Sequence, residues 1–387
     1  MISHTVWIAA MLATVGALAS LGYYALCLWS ALKFLRVRRT GEGLRINSEF
    51  PPISILKPLK GTDPEMYASL RSHCVQDYPE YEIIFGVSNA NDPALPFVER
   101  LKAEFPQCAI RTVLCSEKLG ANIKVSNLMQ MFPYARHDRL LVNDSDIRVE
   151  RDYLRRIVSP LADPQIGMVT CLYRGIAASS LGSRLEALGI STDFTGGVLA
   201  ARQLEDGIHF GLGSTLAFRR TDLESIGGFA VLADYLGDDY EIGRRISALG
   251  LKVELSDVVV ETFLPPYGRR EFLQHQLRWA RNIRDSRRAG YFGLGLTFGI
   301  PWALLALVFS RGASWAWALL AAVIAMRASM ALTVGWTVLR DRQVFRSLWL
   351  LPLRDLVAMA IWFAGFLGHK IRWRGETFDL HDGKLRP

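Results

Sequence analysis

The sequence predicts an α/β domain built on a mostly parallel sheet and carried between transmembrane helices. Three observations lead there. Short apolar runs alternate with helix-spaced apolar patterns from about residue 50 to 268, long uncharged apolar stretches occupy both ends of the chain, and acidic residues gather directly after strand-like runs.

Composition agrees with lipid contact. Half of the 387 residues are hydrophobic and the mean hydropathy is positive, which is too apolar for an ordinary soluble protein of two domains. The formal net charge of +8 suits an anionic membrane surface or a phosphate-bearing substrate. Because the basic residues cluster beside apolar segments, nucleic acid is not the expected partner. The five cysteines, Cys27, Cys74, Cys108, Cys115 and Cys171, are odd in number and lack C-x-x-C spacing. They signal neither a disulfide framework nor a zinc site, and read as small buried hydrophobes in a reducing, cytoplasm-facing domain.

Residues 6–32 are apolar and uncharged, and Lys33, Arg36, Arg38 and Arg39 follow at once. This predicts an N-terminal anchor over residues 1–36 with a cytoplasmic flank. The positive residues follow the apolar run rather than precede it, which argues against a cleaved signal peptide. Three later apolar stretches cover residues 291–309, 313–339 and 348–367, within a membrane region of residues 290–370. Arg340, Arg342 and Arg346 separate the last two, while Lys370, Arg372 and Arg374 lead into a tail of residues 371–387. Three full crossings after a cytoplasmic domain would put those tail cations on the wrong side. The last stretch is interrupted by Arg354 and Asp355, leaving fewer clean residues than the roughly twenty a span needs, so it is expected to be interfacial or re-entrant.

Between the membrane segments, residues 50–268 form the predicted cytoplasmic domain. Strands are expected at 53–56, 81–87, 110–114 and 140–142, and helices around Met66 and Leu70, at 95–105 and at 125–132. Alternation at this spacing gives a parallel sheet covered on both faces, and such sheets bind ligands beyond the carboxyl ends of their strands. Asn143-Asp144-Ser145-Asp146 follows the 140–142 run directly. Asp144 and Asp146, two apart, can both turn toward a hard cation if the backbone bends, with Mg2+ or Mn2+ carrying a diphosphate as the natural partner. An acidic turn is the simpler reading of the same letters; the position after a buried strand favours the metal.

A second acidic group, Asp238-Asp239-Tyr240-Glu241, follows strand-like residues 215–218, a Gly227-Gly228 turn and an apolar run at 230–236. It opens a helical pattern reaching residue 249. An acid there could accept a proton, with Asp238 expected to cap the helix. Residues 269–289 form a third element, an amphipathic interfacial helix with seven arginines and Phe272, Leu273, Leu277, Trp279 and Ile283 at near-helical spacing. Membrane binding explains most of it and leaves the tight grouping of His275, Arg278 and Trp279 open.

Taken together, Lys57-Pro58-Leu59-Lys60-Gly61, Asn91-Asp92-Pro93-Ala94, Lys124 with Asn127-Leu128-Met129, Asn143 to Val149, Asp238-Asp239-Tyr240 and Arg278-Trp279 resemble the motifs of the ceramide glucosyltransferases and the related hopanoid-biosynthesis glycosyltransferases. These lie within the A-type glycosyltransferases that end their catalytic domain in Q/R-x-x-R-W. The resemblance implies an A-type nucleotide-diphospho-sugar transferase fold in which Asp92, Lys124 and Asp144 hold the nucleotide-sugar, and Asp144 and Asp146 the metal. It implies Asp239 as general base, with His275, Arg278 and Trp279 on the acceptor and diphosphate side. His275 stands where the family has Gln or Arg, and Thr192 where the animal ceramide enzymes place a histidine.

The expected activity is inverting transfer of glucose or N-acetylglucosamine from a UDP-sugar to the hydroxyl of a membrane lipid, either ceramide or a hopanoid polyol such as bacteriohopanetetrol. The setting would be a multi-pass protein of the bacterial inner membrane with a cytoplasmic catalytic domain. The alternatives are a processive polysaccharide synthase and a membrane protein that binds nucleotide-sugars without catalysis.

Overall fold

The computed structural model describes residues 4–40, 50–373 and 375–386, so Arg374, one of the tail cations, lies outside the described residues. The chain divides into two compact units. One is sheet-bearing and comprises Val37–Ile176, Leu204–Pro265 and Gly383–Pro387; the other is helical and comprises Met1–Arg36, Ala177–Gln203 and Pro266–Asp382.

Eight strands form the sheet: β1 (Ile53–Leu59), β2 (Tyr81–Val87), β3 (Ala109–Leu114), β4 (Arg139–Val142), β5 (Ile147–Arg148), β6 (Ile166–Ile176), β7 (Leu216–Arg219) and β8 (Lys252–Phe263). Their order is β3-β2-β1-β4-β7-β6-β8-β5. The pairs β1/β2, β1/β4, β2/β3 and β6/β8 are parallel, whereas β7 runs antiparallel to both β4 and β6. The strands at β1, β2 and β4 are buried along nearly their whole length, as a sheet covered on both faces requires. Helices Met66–Cys74, Leu95–Glu104 and Ile123–Met131 fall at the expected places. The apolar run at 230–236 takes a short 3-10 turn, Phe229–Leu232, and forms no strand. Gly227 and Gly228, with φ of 95° and 69°, enter conformations that L side chains rarely adopt, and the chain turns there instead of extending.

Among the described residues three helices are long and apolar enough to cross a membrane, His4–Arg39, Ser314–Val338 and Gln343–Gly365, and one pair, Arg288–Thr297 with Gly299–Phe309, is bent by 55°. The first helix locks onto the bend. Ser20 donates to the carbonyl of Leu296 at 2.7 Å, and Tyr24 donates to that of Thr297 at 2.8 Å while accepting from the Gly299 amide at 3.0 Å. These bonds occupy backbone groups that the break at Phe298 would otherwise leave bare in an apolar setting. The helix Arg269–Ser286 lies alongside Leu351–Gly365, both running the same way. At one end Phe272 joins Leu350 and Leu351 in an apolar cluster, and at the other Arg284 donates to the carbonyl of Gly365 at 2.6 Å. Within the expected tail segment, Lys370–Trp373 and Glu376–His381 pair antiparallel.

Candidate active site

The sheet-bearing unit gathers its charged residues at the carboxyl ends of β1, β2 and β4. Lys57, on β1, is fully buried and donates to the backbone carbonyl of Asp144 at 3.1 Å. Its ammonium also meets Nε2 of His73 at 3.4 Å, the histidine's Nδ1 donating to the Ser69 carbonyl at 3.0 Å. Burial lowers Lys57 to about 7. His73 is pushed well below its usual range by burial and then by Lys57, so its neutral ring can accept the lysine proton's bond. Lys57 thereby fixes the backbone bend that carries the two metal candidates.

Lys124 stands at the start of the Ile123–Met131 helix, whose N-cap is Asn122. Its ammonium is 2.8 Å from Asp144 Oδ1 and 3.0 Å from Asp238 Oδ2. Burial opposes its charge, but Asp144, Asp238 and Asp239 together outweigh that and raise its pKa. Asn122 donates to the carbonyl of Tyr235 at 2.7 Å, which fastens the Lys124 helix to the segment leading into the second acidic group.

The expected cap role of Asp238 is corrected. The N-cap of the Asp238–Ala248 helix is Gly237, with no side-chain cap bond, and the carboxylate of Asp238 turns to Lys124 instead. Its neighbour faces backbone amides: Asp239 accepts from Gly213 N and from its own neighbour Tyr240 N, each at 2.8 Å. A Cβ at Gly213 would lie 2.9 Å from Asp144 Oδ2 and 3.3 Å from Asp239 Oδ2, so the lack of a side chain at this position lets both carboxylates approach it. Burial, and then the charge of Asp238, raise the Asp239 carboxyl to about 6, within the range a general base needs near neutral pH.

Asp146 receives a hydrogen bond from Thr262 of β8, and burial followed by the Asp144 charge raises its carboxyl to about 6. Asp144 keeps an exposed carboxylate, with 43% of its side chain open. Two carboxylates that repel one another, one of them open to solvent, fit a hard divalent cation that would relieve the repulsion. Among the described residues no three His, Cys, Asp or Glu side chains close into a cage, so such an ion would draw its remaining ligands from a diphosphate and water.

Asp92 lies at the same edge, after β2, with both oxygens engaged by backbone. It accepts from Gly61 N at 3.0 Å and Ala94 N at 2.9 Å, tying the loop after β1 to the loop after β2. The site therefore brings Lys124, Asp144, Asp146 and Asp239 together, while Asp92 shapes the adjoining loops. Sequence reasoning passed over Gly213, Asn122, Thr262 and the positioning function of Lys57. The signal of the last was the place of Lys57 directly after an apolar strand-like run and at the head of the Lys57-Pro58-Leu59-Lys60-Gly61 motif.

In the helical unit, His275 Nε2 meets Glu186 Oε1 at 2.8 Å, and Gln276 donates to the other Glu186 oxygen at 2.9 Å. Arg278 approaches His275 Nδ1 at 3.0 Å, and Trp279 Nε1 approaches Nε2 at 3.0 Å. The Tyr267 ring lies 5.2 Å from the imidazole. His275, Arg278 and Trp279 are thus one cluster centred on His275, which rests on a buried residue that the sequence analysis does not name, Glu186.

The profile of glycosyl transferase family 21 matches residues 12–386. Ceramide glucosyltransferase 3 of Caenorhabditis elegans is 24% identical over 359 residues, covering 88% of this chain and 75% of the relative. Ceramide glucosyltransferase of Candida albicans is 34% identical over 122 residues, 28% of this chain and 22% of the relative. Among solved structures, the mannosyltransferase PcManGT of Pyrobaculum calidifontis, in complex with GDP-Man and Mn2+, superposes with a TM-score of 0.55 at 19% identity, covering 93% of this chain and 99% of that one. The fold is accordingly that of the A-type glycosyltransferases. With its profile matched from the first helix to the last strand, the chain belongs to glycosyl transferase family 21.

Proposed function

We propose that this glycosyltransferase moves glucose or N-acetylglucosamine from a UDP-sugar, with inversion, to the hydroxyl of a membrane lipid of the ceramide or hopanoid-polyol class. The observation that carries the reading is the array at Gly213, where the carboxylates of Asp144 and Asp239 flank one backbone position and Lys124 bridges Asp144 to Asp238. One side of this array suits a diphosphate and the other a hydroxyl proton. The acceptor oxygen attacks the anomeric carbon, the bond from that carbon to the diphosphate oxygen breaks, UDP departs, and the proton passes to Asp239. A single displacement inverts the anomeric centre. Lys124 orients Asp144 and balances negative charge as the diphosphate leaves. Mg2+ or Mn2+ held by Asp144 and Asp146 would supply Lewis-acid stabilisation to that leaving group.

The lipid acceptor is supported by the ceramide glucosyltransferase relatives and by the helical unit. In this reading the bent pair at 288–309 crosses outward, Ser314–Val338 returns, and Gln343–Gly365 lies in the interface beside the amphipathic Arg269–Ser286 helix. Length and hydropathy alone would let Gln343–Gly365 span. Its packing along a surface helix, and the parity of the cationic flanks, support an in-plane position. Arg36, Arg38, Arg340, Arg342, Arg346, Lys370 and Arg372 then all face the cytoplasm, which would be that of a bacterial inner membrane. The cluster of Glu186, His275, Arg278 and Trp279 is assigned to the acceptor.

The test is incubation of detergent-solubilised protein with labelled UDP-glucose or UDP-N-acetylglucosamine and ceramide or hopanoid-polyol extract, with and without chelator. Lipid-extractable label dependent on divalent metal is expected, and mass spectrometry of the product identifies sugar and lipid. No label in lipid from either donor would overturn the assignment, and label that survives chelation would overturn the metal.

A further inference from the structure

The helical unit contains a second polar recess, built from groups the transfer reaction does not use. A cavity of about 190 Å³ opens between the Leu181–Gly189 helix and residues 341–347, and Arg184, Arg346, Asp341 and Gln343 contribute its polar lining. It is smaller than the roughly 300–1,000 Å³ typical of pockets for whole small molecules, and a nucleotide-sugar would not fit. Its charge is cationic. The carboxylate of Asp341 is already engaged by Ser191 at 2.7 Å and by the Gln343 amide at 2.9 Å, whereas among the described residues neither Arg184 nor Arg346 pairs with a carboxylate. Among the described residues Arg184 reaches the backbone oxygen of Arg346, at 3.4 Å, and the face of Trp349, at 5.8 Å from the ring centroid.

The surroundings say what kind of ligand would arrive. Residues 339–342 follow the apolar Ser314–Val338 helix, so on the placement proposed above the cavity sits at the level where that helix leaves the hydrocarbon. Trp349, 69% exposed, lies beside the lining residue Arg184, and Phe345, 52% exposed, stands between the lining residues Val344 and Arg346 in sequence; aromatic rings with arginines at such a level mark the headgroup layer. Guanidinium groups bind phosphate oxygens through paired N–H donors, and basic pockets between membrane helices take anionic lipid headgroups.

We propose that this cavity binds the phosphate of an anionic membrane phospholipid through Arg184 and Arg346, with Phe345 and Trp349 against the glycerol and upper acyl region. The cavity is lined by residues other than those assigned to donor and acceptor. It takes its membrane level from the placement proposed above, and nothing from the transfer chemistry. The Leu181–Gly189 helix also carries Glu186, so an occupied cavity would steady the helix on which His275 rests.

The test uses the full chain in nanodiscs containing equal phosphatidylcholine and phosphatidylglycerol, with bound lipid counted by native mass spectrometry after release. The wild type is expected to retain phosphatidylglycerol over phosphatidylcholine by about tenfold, the scale of one charge-assisted contact pair. Arg184→Gln with Arg346→Gln should abolish the preference, and Arg184→Lys with Arg346→Lys should keep part of it. The lysine pair also serves if the glutamine pair does not fold. Equal retention of both lipids by the wild type, or an unchanged preference in the glutamine pair, would overturn the proposal. So would displacement of the bound lipid by millimolar inorganic phosphate, which would identify a soluble anion as the ligand. Because lipid counting does not depend on turnover, a chain that transfers no sugar can still pass this test, and an active chain can fail it.

Discussion

Lys124 joins Asp144, at 2.8 Å, to Asp238, at 3.0 Å, so one ammonium connects carboxylates from two acidic motifs far apart in the chain. Removing it leaves two negative groups facing each other beside Asp239. Lys124→Met should weaken UDP-sugar binding by about ten- to a hundredfold, matching the loss of about 1.5–3 kcal/mol for hydrogen bonds to charged groups. Isothermal titration with UDP-sugar measures it. Binding equal to the wild type would mean that the lysine holds the protein together but not the donor.

Asp239→Asn keeps the shape of the side chain and its place beside Gly213 but loses the basicity. The expected result is a fall in kcat of about 10²–10⁴-fold, the usual contribution of a positioned base, with UDP-sugar affinity nearly unchanged. Asp238→Asn should differ by lowering affinity as well, since its carboxylate faces Lys124. If Asp239→Asn abolished donor binding while Asp238→Asn abolished only turnover, the two roles would have to be exchanged.

The contrast between these neighbours shows where the sequence was legible. Burial along β1, β2 and β4 is written as continuous apolar runs, so the sheet, its parallel core and the position of Asp144 at a strand end follow from periodicity. That Asp238 faces the Lys124 ammonium instead of capping its helix depends on the first helical turn and on Asn122 and Lys124 arriving from another segment. No local pattern encodes that. Glu186 was missed for the same reason, because it meets His275 only after the helices pack. The arginines and lysines flanking the late apolar stretches are the sequence's basis for expecting that one stretch does not cross, whereas by length and hydropathy Gln343–Gly365 could span.

Gly213→Ala tests the array without changing any charge. The added methyl would meet Asp144 Oδ2 at 2.9 Å and Asp239 Oδ2 at 3.3 Å, and both carboxylates would have to move. Transfer activity should fall by at least about tenfold, since small displacements of reacting groups are costly, while Tm changes little. Wild-type activity in this variant would show that the spacing of the two carboxylates is not critical.

Glu82 gives a pH-dependent prediction remote from the chemistry. Its buried carboxylate accepts from Ser54 Oγ at 2.7 Å and from Arg136 N and Nε at 2.7 and 2.9 Å. Burial works to raise its pKa, but these bonds outweigh burial and hold it below its usual value. A group depressed in this way contributes stability above its unfolded pKa of about 4.3, and that contribution is lost as pH falls through the lower folded value. Glu82→Gln should therefore cost about 1–3 kcal/mol at neutral pH and progressively less in acid. Unfolding curves of the full chain across that range check the convergence. A deficit that grew toward low pH would contradict it.

Arg327 is 2% exposed within the helical unit, and it donates to Asp355 at 3.0–3.2 Å and to Asp193, which also pairs with Arg354 at 3.2 Å. In an apolar setting a lone charge is far more costly than a neutralised pair. Arg327→Leu leaves two carboxylates with one guanidinium and should destabilise the protein by about 3–5 kcal/mol, the cost of breaking a buried pair by removing one partner. Adding Asp355→Leu restores the balance between Asp193 and Arg354, and the double variant should be more stable than Arg327→Leu alone. The comparison is read from Tm in one detergent. A double variant less stable than the single would mean that Asp355 has a favourable partner other than Arg327, and that the network is held by packing rather than by its charges.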